Sequence, residues 1–167
     1  VFRPPKPWRP AWGIWKRDHR KILVVDDVIG FVGGINLSDD YAPAREGGGA
    51  WHDMHACVVG PAARELTKMV NRTWRRLTGE DWGRALGPSL ARGAVEVQVL
   101  ESRLGQRHTI RHAYLRAIKA ARRTIRITNA YWIPDRGIRR ALRNACRRGV
   151  QVQLLLAGAT DVRAVRY

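Results

Sequence analysis

The sequence predicts an α/β layered fold in which a mixed sheet is flanked by helices. Three observations carry that prediction: short β-branched runs, segments with apolar residues at helical spacing, and Gly or Pro breaks between them. From Val95 to Leu156 the segments alternate strand, helix, strand, helix, strand, the order of a largely parallel sheet.

Residues 1–18 form a lead-in rich in Pro, Trp and basic groups, where Pro4, Pro5, Pro7 and Pro10 exclude regular helix before Ala11. Trp8, Trp12 and Trp15 within it suit either packing over a core edge or a place among lipid headgroups. β-branched residues predict strands at Lys21–Val25 and Val28–Val32, joined by a turn at Asp26-Asp27. The loop REGGGA leads to Trp51 and a third strand, Asp53–Val59. Gly60-Pro61 ends that strand and opens a helix to about Leu77, with Leu66, Met69, Val70, Trp74 and Leu77 on one face. The segment TGEDWGRALGPSLARG then reads as a linker. Beyond it come a strand at Val95–Leu100, a helix at His108–Ala121, a strand at Thr124–Thr128, a helix at Asp135–Arg148 stopped by Gly149, and a strand at Val150–Leu156. The domain expectation is therefore a lead-in at 1–18, one lobe at 19–78, a linker at 79–94 and a second lobe from 95 to 167.

The 167 residues are 45% apolar, enough to bury a core, and 31 Lys plus Arg against 14 Asp plus Glu leave a net charge of +17. Such a surplus attracts phosphate-bearing partners, and both nucleic acid and anionic lipid qualify. Arg accounts for 26 of the 31 cations, which suits bidentate phosphate contacts and equally reflects a bias in base composition. The only cysteines, Cys57 and Cys146, are far apart in the chain, so no disulfide framework is expected and a reducing compartment is. No run approaches the roughly 18 apolar residues of a membrane span. The start, VFRPPKPW, has neither an initiator Met nor the apolar core of a signal peptide, so an internal piece of a longer chain is expected.

Chemistry concentrates in HRKILVVDDVIGFVGGIN, residues 19–36. Strand alternation puts His19 and Lys21 on one face and points Asp26 away, so Asp26 is better placed to shape the turn. An imidazole beside a fixed cation can attack phosphorus while the ammonium neutralises developing charge on the phosphate oxygens. Asn36 could donate to another oxygen, and Gly33 and Gly34 let backbone amides approach closely. A nucleophilic imidazole needs its second nitrogen held, normally by a carboxylate, and Asp53 on the next strand is the candidate partner of His19. His52 and His55 fall on opposite faces of one strand, which argues against a joint metal site. His108 and His112 stand four residues apart, but no Cys, Asp or Glu nearby completes a ligand set.

The segments HRKILVVDDVIGFVGGINLSDDY, WHDMHACVVGPA and ITNAYWIPDRGIRRALRNACRRGVQVQLLLAGATDV resemble, in order, the phospholipase D superfamily and most closely its bacterial cardiolipin synthase branch. The resemblance implies a two-lobed enzyme with one HxKxxxxD motif per lobe and a single site between them. One motif histidine forms a covalent phosphohistidine, the other serves as general acid and then base, and no metal or cofactor takes part. It places the motif at His19, Lys21 and Asp26, phosphate contacts at Lys21, Asn36, Gly33 and Gly34, and the acid that orients the nucleophile at Asp53. The partner it implies is an anionic phospholipid, met peripherally at the cytoplasmic face of a bacterial cell membrane. Gly34 stands where the family often has Ser, and the second HxKxxxxD is missing, so a second lobe or a homodimer partner must complete the site. Two other readings stay open: a phospholipase D-like phosphodiesterase or nuclease completed by homodimerisation, and a non-catalytic basic module binding nucleic acid or membrane through its Arg-rich helices.

Overall fold

The computed structural model describes residues 18–83, 93–102 and 109–158, and the chain divides into two compact units, Val1–Val99 and Leu100–Tyr167. The Trp-rich lead-in, most of the expected linker, His108 and the tail beyond Gly158 lie outside the described residues. The architecture is α/β, as the sequence predicts, with an antiparallel sheet in the first unit and a parallel pair in the second.

In the first unit β1 (Lys21–Val25), β2 (Ile29–Gly33) and β3 (His55–Val59) form an antiparallel meander, followed by helix α1 (Pro61–Thr78). Asp26 and Asp27 have φ of 52° and 58°, and Val28 N–H donates to the Val25 carbonyl at 3.0 Å. Positive φ at both central residues matches the right-handed strand twist, and a short carboxylate tolerates that conformation. The Thr67 hydroxyl of α1 donates to Asp27 Oδ1 at 2.7 Å, which ties the turn to the helix. α1 begins at Pro61 and ends on Gly79, whose φ is 83° and whose N–H donates to the Arg75 carbonyl. Its Ala63, Leu66 and Met69 are buried, and a Cβ at Gly30 would sit 2.6 Å from Leu66 Cδ1, so the missing side chain on β2 lets the helix approach.

α1 covers only one face of this sheet. By register, Leu23, Phe31 and Cys57 share the other face with Val25, Ile29 and Val59, and Leu23, Val25, Cys57 and Val59 are exposed. β3 begins at His55 instead of Asp53, because ladder pairing stops where Gly33 meets His55.

In the second unit α2 (Thr109–Ala120) precedes β4 (Thr124–Asn129), α3 (Arg136–Arg147) and β5 (Gln151–Leu156), and β4 pairs with β5 in parallel. Ile118, Ala141, Leu142, Ala145 and Val150 make the core, with Ile125, Ile127 and Val152 of the strands packed against them. Gly149, with φ of 86°, turns the chain from α3 into β5. The Arg148 guanidinium donates to the carbonyls of Ile118, Lys119 and Ala121 and thereby satisfies the open end of α2. The strand expected at Val95–Leu100 is not formed: the segment is unpaired and Val95 and Val97 are exposed. β-branched alternation supplies a strand's side chains, but no described strand lies alongside to share its backbone hydrogen bonds.

Asp135 caps α3 by accepting from the N–H groups of Gly137 and Ile138, and Arg111 of α2 grips the same carboxylate at 2.7 and 3.0 Å. The Arg111 hydrogen bond, with help from the Ile138 N–H, holds the Asp135 pKa well below the ordinary carboxylate value. A depressed folded-state pKa means stability present above the unfolded value and lost as pH falls through the folded one. Asp135→Asn retains a cap but loses the ion pair. Its unfolding midpoint in urea is expected below wild type at neutral pH, with the gap closing in strong acid. A gap of constant size across that range would show that the charge on Asp135 does not contribute.

Candidate active site

The site is built at the open end of the antiparallel sheet, around the residues that enter β1. Asp18 and Arg20, on either side of His19, form an ion pair, and Arg20 Nη2 also donates to Thr73 Oγ1 of α1 at 2.6 Å. The Arg20 hydrogen bond lowers the Asp18 pKa. Arg20 thus turns toward the helix, and the alternation of an extended chain directs His19 and Lys21 to the opposite side. His19 is exposed, and Lys21 Nζ donates to its backbone carbonyl at 2.8 Å, which holds the ammonium close to the histidine. Asp26 lies at the far end of β1, in the turn.

Across the sheet Lys21 pairs with Gly33, and Gly33 with His55. Register therefore puts Lys21 and His55 on one face with a glycine between them, about two strand spacings, roughly 9–10 Å, apart along the sheet. His55 leans over that glycine: a Cβ at Gly33 would come within 2.8 Å of His55 Nδ1 and 2.6 Å of His55 Cα. His55 Nδ1 is buried and has no hydrogen-bond partner among the described residues.

Asp53 sits just before β3, its Oδ1 accepting from the Met54 N–H at 2.7 Å and its carboxylate resting against Gly34. No hydrogen bond joins it to His19 among the described residues. Gly34 N–H donates to the Met54 carbonyl at 3.1 Å, which carries the pairing one step past the strands. Asn36 is exposed and donates to Tyr41 Oη at 3.3 Å, while that hydroxyl donates to the Gly34 carbonyl at 3.5 Å. Tyr41 in turn meets Trp51 edge-on, with ring centroids 5.9 Å apart. The structure thus aligns Lys21, Gly33 and His55 across the sheet, sets Asp53 against Gly34, and links Asn36 to Gly34 through Tyr41.

Sequence reasoning did not assign His55 and Tyr41 to this neighbourhood. Parity alone could have placed His55 on the face of Lys21; its place opposite Gly33 depends on register, which is a non-local property. Among the described residues no cluster of His, Cys, Asp and Glu could hold a metal, and no helix is long and apolar enough to cross a membrane.

The two glycines are expected to respond differently to an added methyl group. Gly33→Ala would press on the backbone of Met54 and His55, which cannot yield without opening the pairing, and should cost about 1–3 kcal/mol. Gly34→Ala meets first the Asp53 carboxylate, the end of a side chain, and should cost less than about 1 kcal/mol while moving that carboxylate. Denaturant titration of the two variants checks the order; equal losses would mean that the Asp53 contact is as rigid as backbone.

A family model described as "Cardiolipin synthase, PLD-like domain" matches residues 114–167. The chain is 35% identical to the cardiolipin synthase of Geobacillus thermodenitrificans, over 90% of this chain and 31% of that protein. It is 37% identical to cardiolipin synthase 2 of Bacillus cereus, over 90% of this chain and 30% of the relative. With the minor cardiolipin synthase ClsB of Bacillus subtilis it shares 29% identity, over 90% of this chain and 37% of that relative. The chain thus spans about a third of the length of the curated relatives it matches. No solved structure matches it. With a PLD-like segment in its second unit and cardiolipin synthases aligned along nine-tenths of its length, the chain is a cardiolipin synthase-like member of the phospholipase D superfamily.

Proposed function

We propose that this chain supplies one half of a phosphatidyltransferase site that makes cardiolipin from phosphatidylglycerol or a related phospholipid. What supports the reading is the exposed His19 at the entry to β1, with the half-buried Lys21 ammonium held on its backbone carbonyl, in a chain aligned with cardiolipin synthases over 90% of its length. In the first step an imidazole nitrogen of His19 attacks the phosphodiester phosphorus. A nitrogen–phosphorus bond forms, the bond to the departing alcohol breaks, and that alkoxide takes a proton from a general acid. Lys21 holds the phosphate oxygens as charge builds on them, and Asn36 supplies a further donor, while the Gly34 N–H is already given to the Met54 carbonyl. In the second step the hydroxyl of another lipid attacks phosphorus, giving up its proton to the same acid–base group and releasing His19.

Asp53 is the carboxylate that orients His19 in this reading. Asp26 acts as the turn residue that fixes β1. The general acid and base come from a second motif, in another lobe or a second copy, and the open apolar face around Leu23, Val25 and Val59 supports such a completion. The reaction takes place at the cytoplasmic face of the membrane, with the protein bound peripherally.

The test is to give the intact protein phosphatidylglycerol vesicles and follow cardiolipin and glycerol. Production of both in equal amounts supports transfer. Phosphatidic acid in place of cardiolipin would replace transfer by hydrolysis, and cleavage of DNA with no lipid product would replace it by the nuclease reading.

A further inference from the structure

The most one-sided charge distribution in the described structure lies on α3. Arg136, Arg140, Arg143 and Arg147 follow one another at four, three and four residues, with Arg139 beside Arg140. At 3.6 residues per turn these five fall within roughly a third of the helix circumference, and their row runs about 16 Å along the axis. All five are exposed, whereas Ala141, Leu142 and Ala145 on the other side are buried and Ile138 is packed against the core. None of the five has a hydrogen bond or ion pair with another described side chain; the Asp135 carboxylate at the head of the helix is taken by Arg111. Across the described part of this unit there are twelve Lys and Arg residues and two acids, Glu101 and Asp135. A row of this kind is not balanced inside its own unit.

The segment that leads into the row is apolar and exposed. Tyr131 is 49% and Ile133 72% exposed, two to four residues ahead of the Asp135 cap, while Trp132 between them is packed against the core and fixes the segment.

We propose that the Arg136–Arg147 face of α3, with Tyr131 and Ile133 at its leading end, docks the second unit on an anionic phospholipid bilayer. The proposal deepens the phosphatidyl-transfer reading, on which its choice of lipid rests, by naming the surface that meets the membrane. Guanidiniums along a straight helix face can all reach one plane of lipid phosphates at once, with their aliphatic stems lying against the acyl boundary. The apolar lead distinguishes a bilayer from a nucleic acid: an exposed isoleucine gains burial below the headgroups and finds no such place against a phosphate backbone.

The experiment uses the 167-residue chain with equimolar phosphatidylcholine–phosphatidylglycerol vesicles, pure phosphatidylcholine vesicles, and a DNA duplex at matched phosphate concentration. The variant Arg140→Gln/Arg143→Gln/Arg147→Gln keeps helix propensity, and its helicity is checked by circular dichroism. Each guanidinium near an anionic surface contributes about fivefold to partitioning, so the triple variant should bind anionic vesicles on the order of 100-fold more weakly. A control, Arg45→Gln/Lys68→Gln/Arg75→Gln, removes equal charge from positions paired with acids and should lose less than about threefold. Ile133→Ser should weaken vesicle binding and leave duplex binding unchanged. Equal losses from the two triple variants, wild-type binding by the α3 variant, or vesicle binding indifferent to Ile133→Ser would overturn the proposal. So would tighter binding to duplex than to anionic vesicles.

Transfer activity of the intact protein on detergent-dispersed phosphatidylglycerol separates the two ideas. The α3 variant should keep activity in detergent and lose it on vesicles. Absence of transfer in both forms defeats the reaction reading, while the vesicle-binding series still decides the docking face.

Discussion

His19→Ala in the intact protein is expected to abolish lipid product formation, with turnover falling on the order of 10⁴-fold or more, because the covalent step loses its nucleophile. The exposed side chain makes no hydrogen bond among the described residues, so its removal should leave the unfolding midpoint within about 0.5 kcal/mol of wild type. The pair of readouts is what gives the experiment its force: a dead enzyme that is still folded. Lys21→Ala should give a smaller but large loss, through weaker neutralisation of the phosphate oxygens. Capture of radiolabelled phosphate on the protein by acid quench should disappear with His19→Ala. Retained turnover in that variant would remove His19 from the mechanism altogether.

The largest expected stability effect lies at Leu66, the largest fully buried side chain among the described residues, at 1% exposure. It fills the space that Gly30 leaves on β2, and its Cδ1 has no room to spare there. Leu66→Ala opens a cavity between helix and sheet and should cost about 2–5 kcal/mol. For a unit of this size that corresponds to at least about 10 °C in the unfolding midpoint. Leu66→Met, nearly equal in volume, should cost less than about 1.5 kcal/mol. Because α1 also holds the Asp26-Asp27 turn through Thr67, the alanine variant should make the amides of β1 and β2 exchange faster with solvent. Unchanged exchange in those strands would show that the helix does not hold the hairpin.

What could be read from the sequence was what depends on near neighbours. The two β-branched runs around Asp26-Asp27, the helical spacing of Leu66 and Met69, and the Asp135 cap with Gly149 behind the helix all act within a few residues, and the elements formed at those places to within a residue or two. Val95–Leu100 shows the opposite case. Its composition suits a strand, but a strand is completed by its neighbour, and none lies beside it among the described residues.

The same division runs through the site. Alternation placed His19 and Lys21 on one side from residue spacing alone. The row from Lys21 through Gly33 to His55 depends on a register between strands that are joined by the long loop before Trp51, and local spacing does not set it. The rest of Asp53 against Gly34 arises because β3 begins two residues later than its apolar pattern suggests. A carboxylate assigned to a strand by composition lies in fact on the unpaired approach to it.

The meander also bears on how the protein acquires its structure. The β1–β2 hairpin and the β3–α1 junction join segments only a few residues apart, so their loops are short and the entropic barrier is low, whereas β2 and β3 meet only after the long loop of residues 34–54 has closed. A hairpin closed by so short a turn forms in about 1–10 μs, far faster than a ribosome adds the next residue. The scaffold under His19 and Lys21 can therefore assemble during synthesis as soon as α1 has emerged. β4 and β5, by contrast, can pair only after α3 has crossed between them.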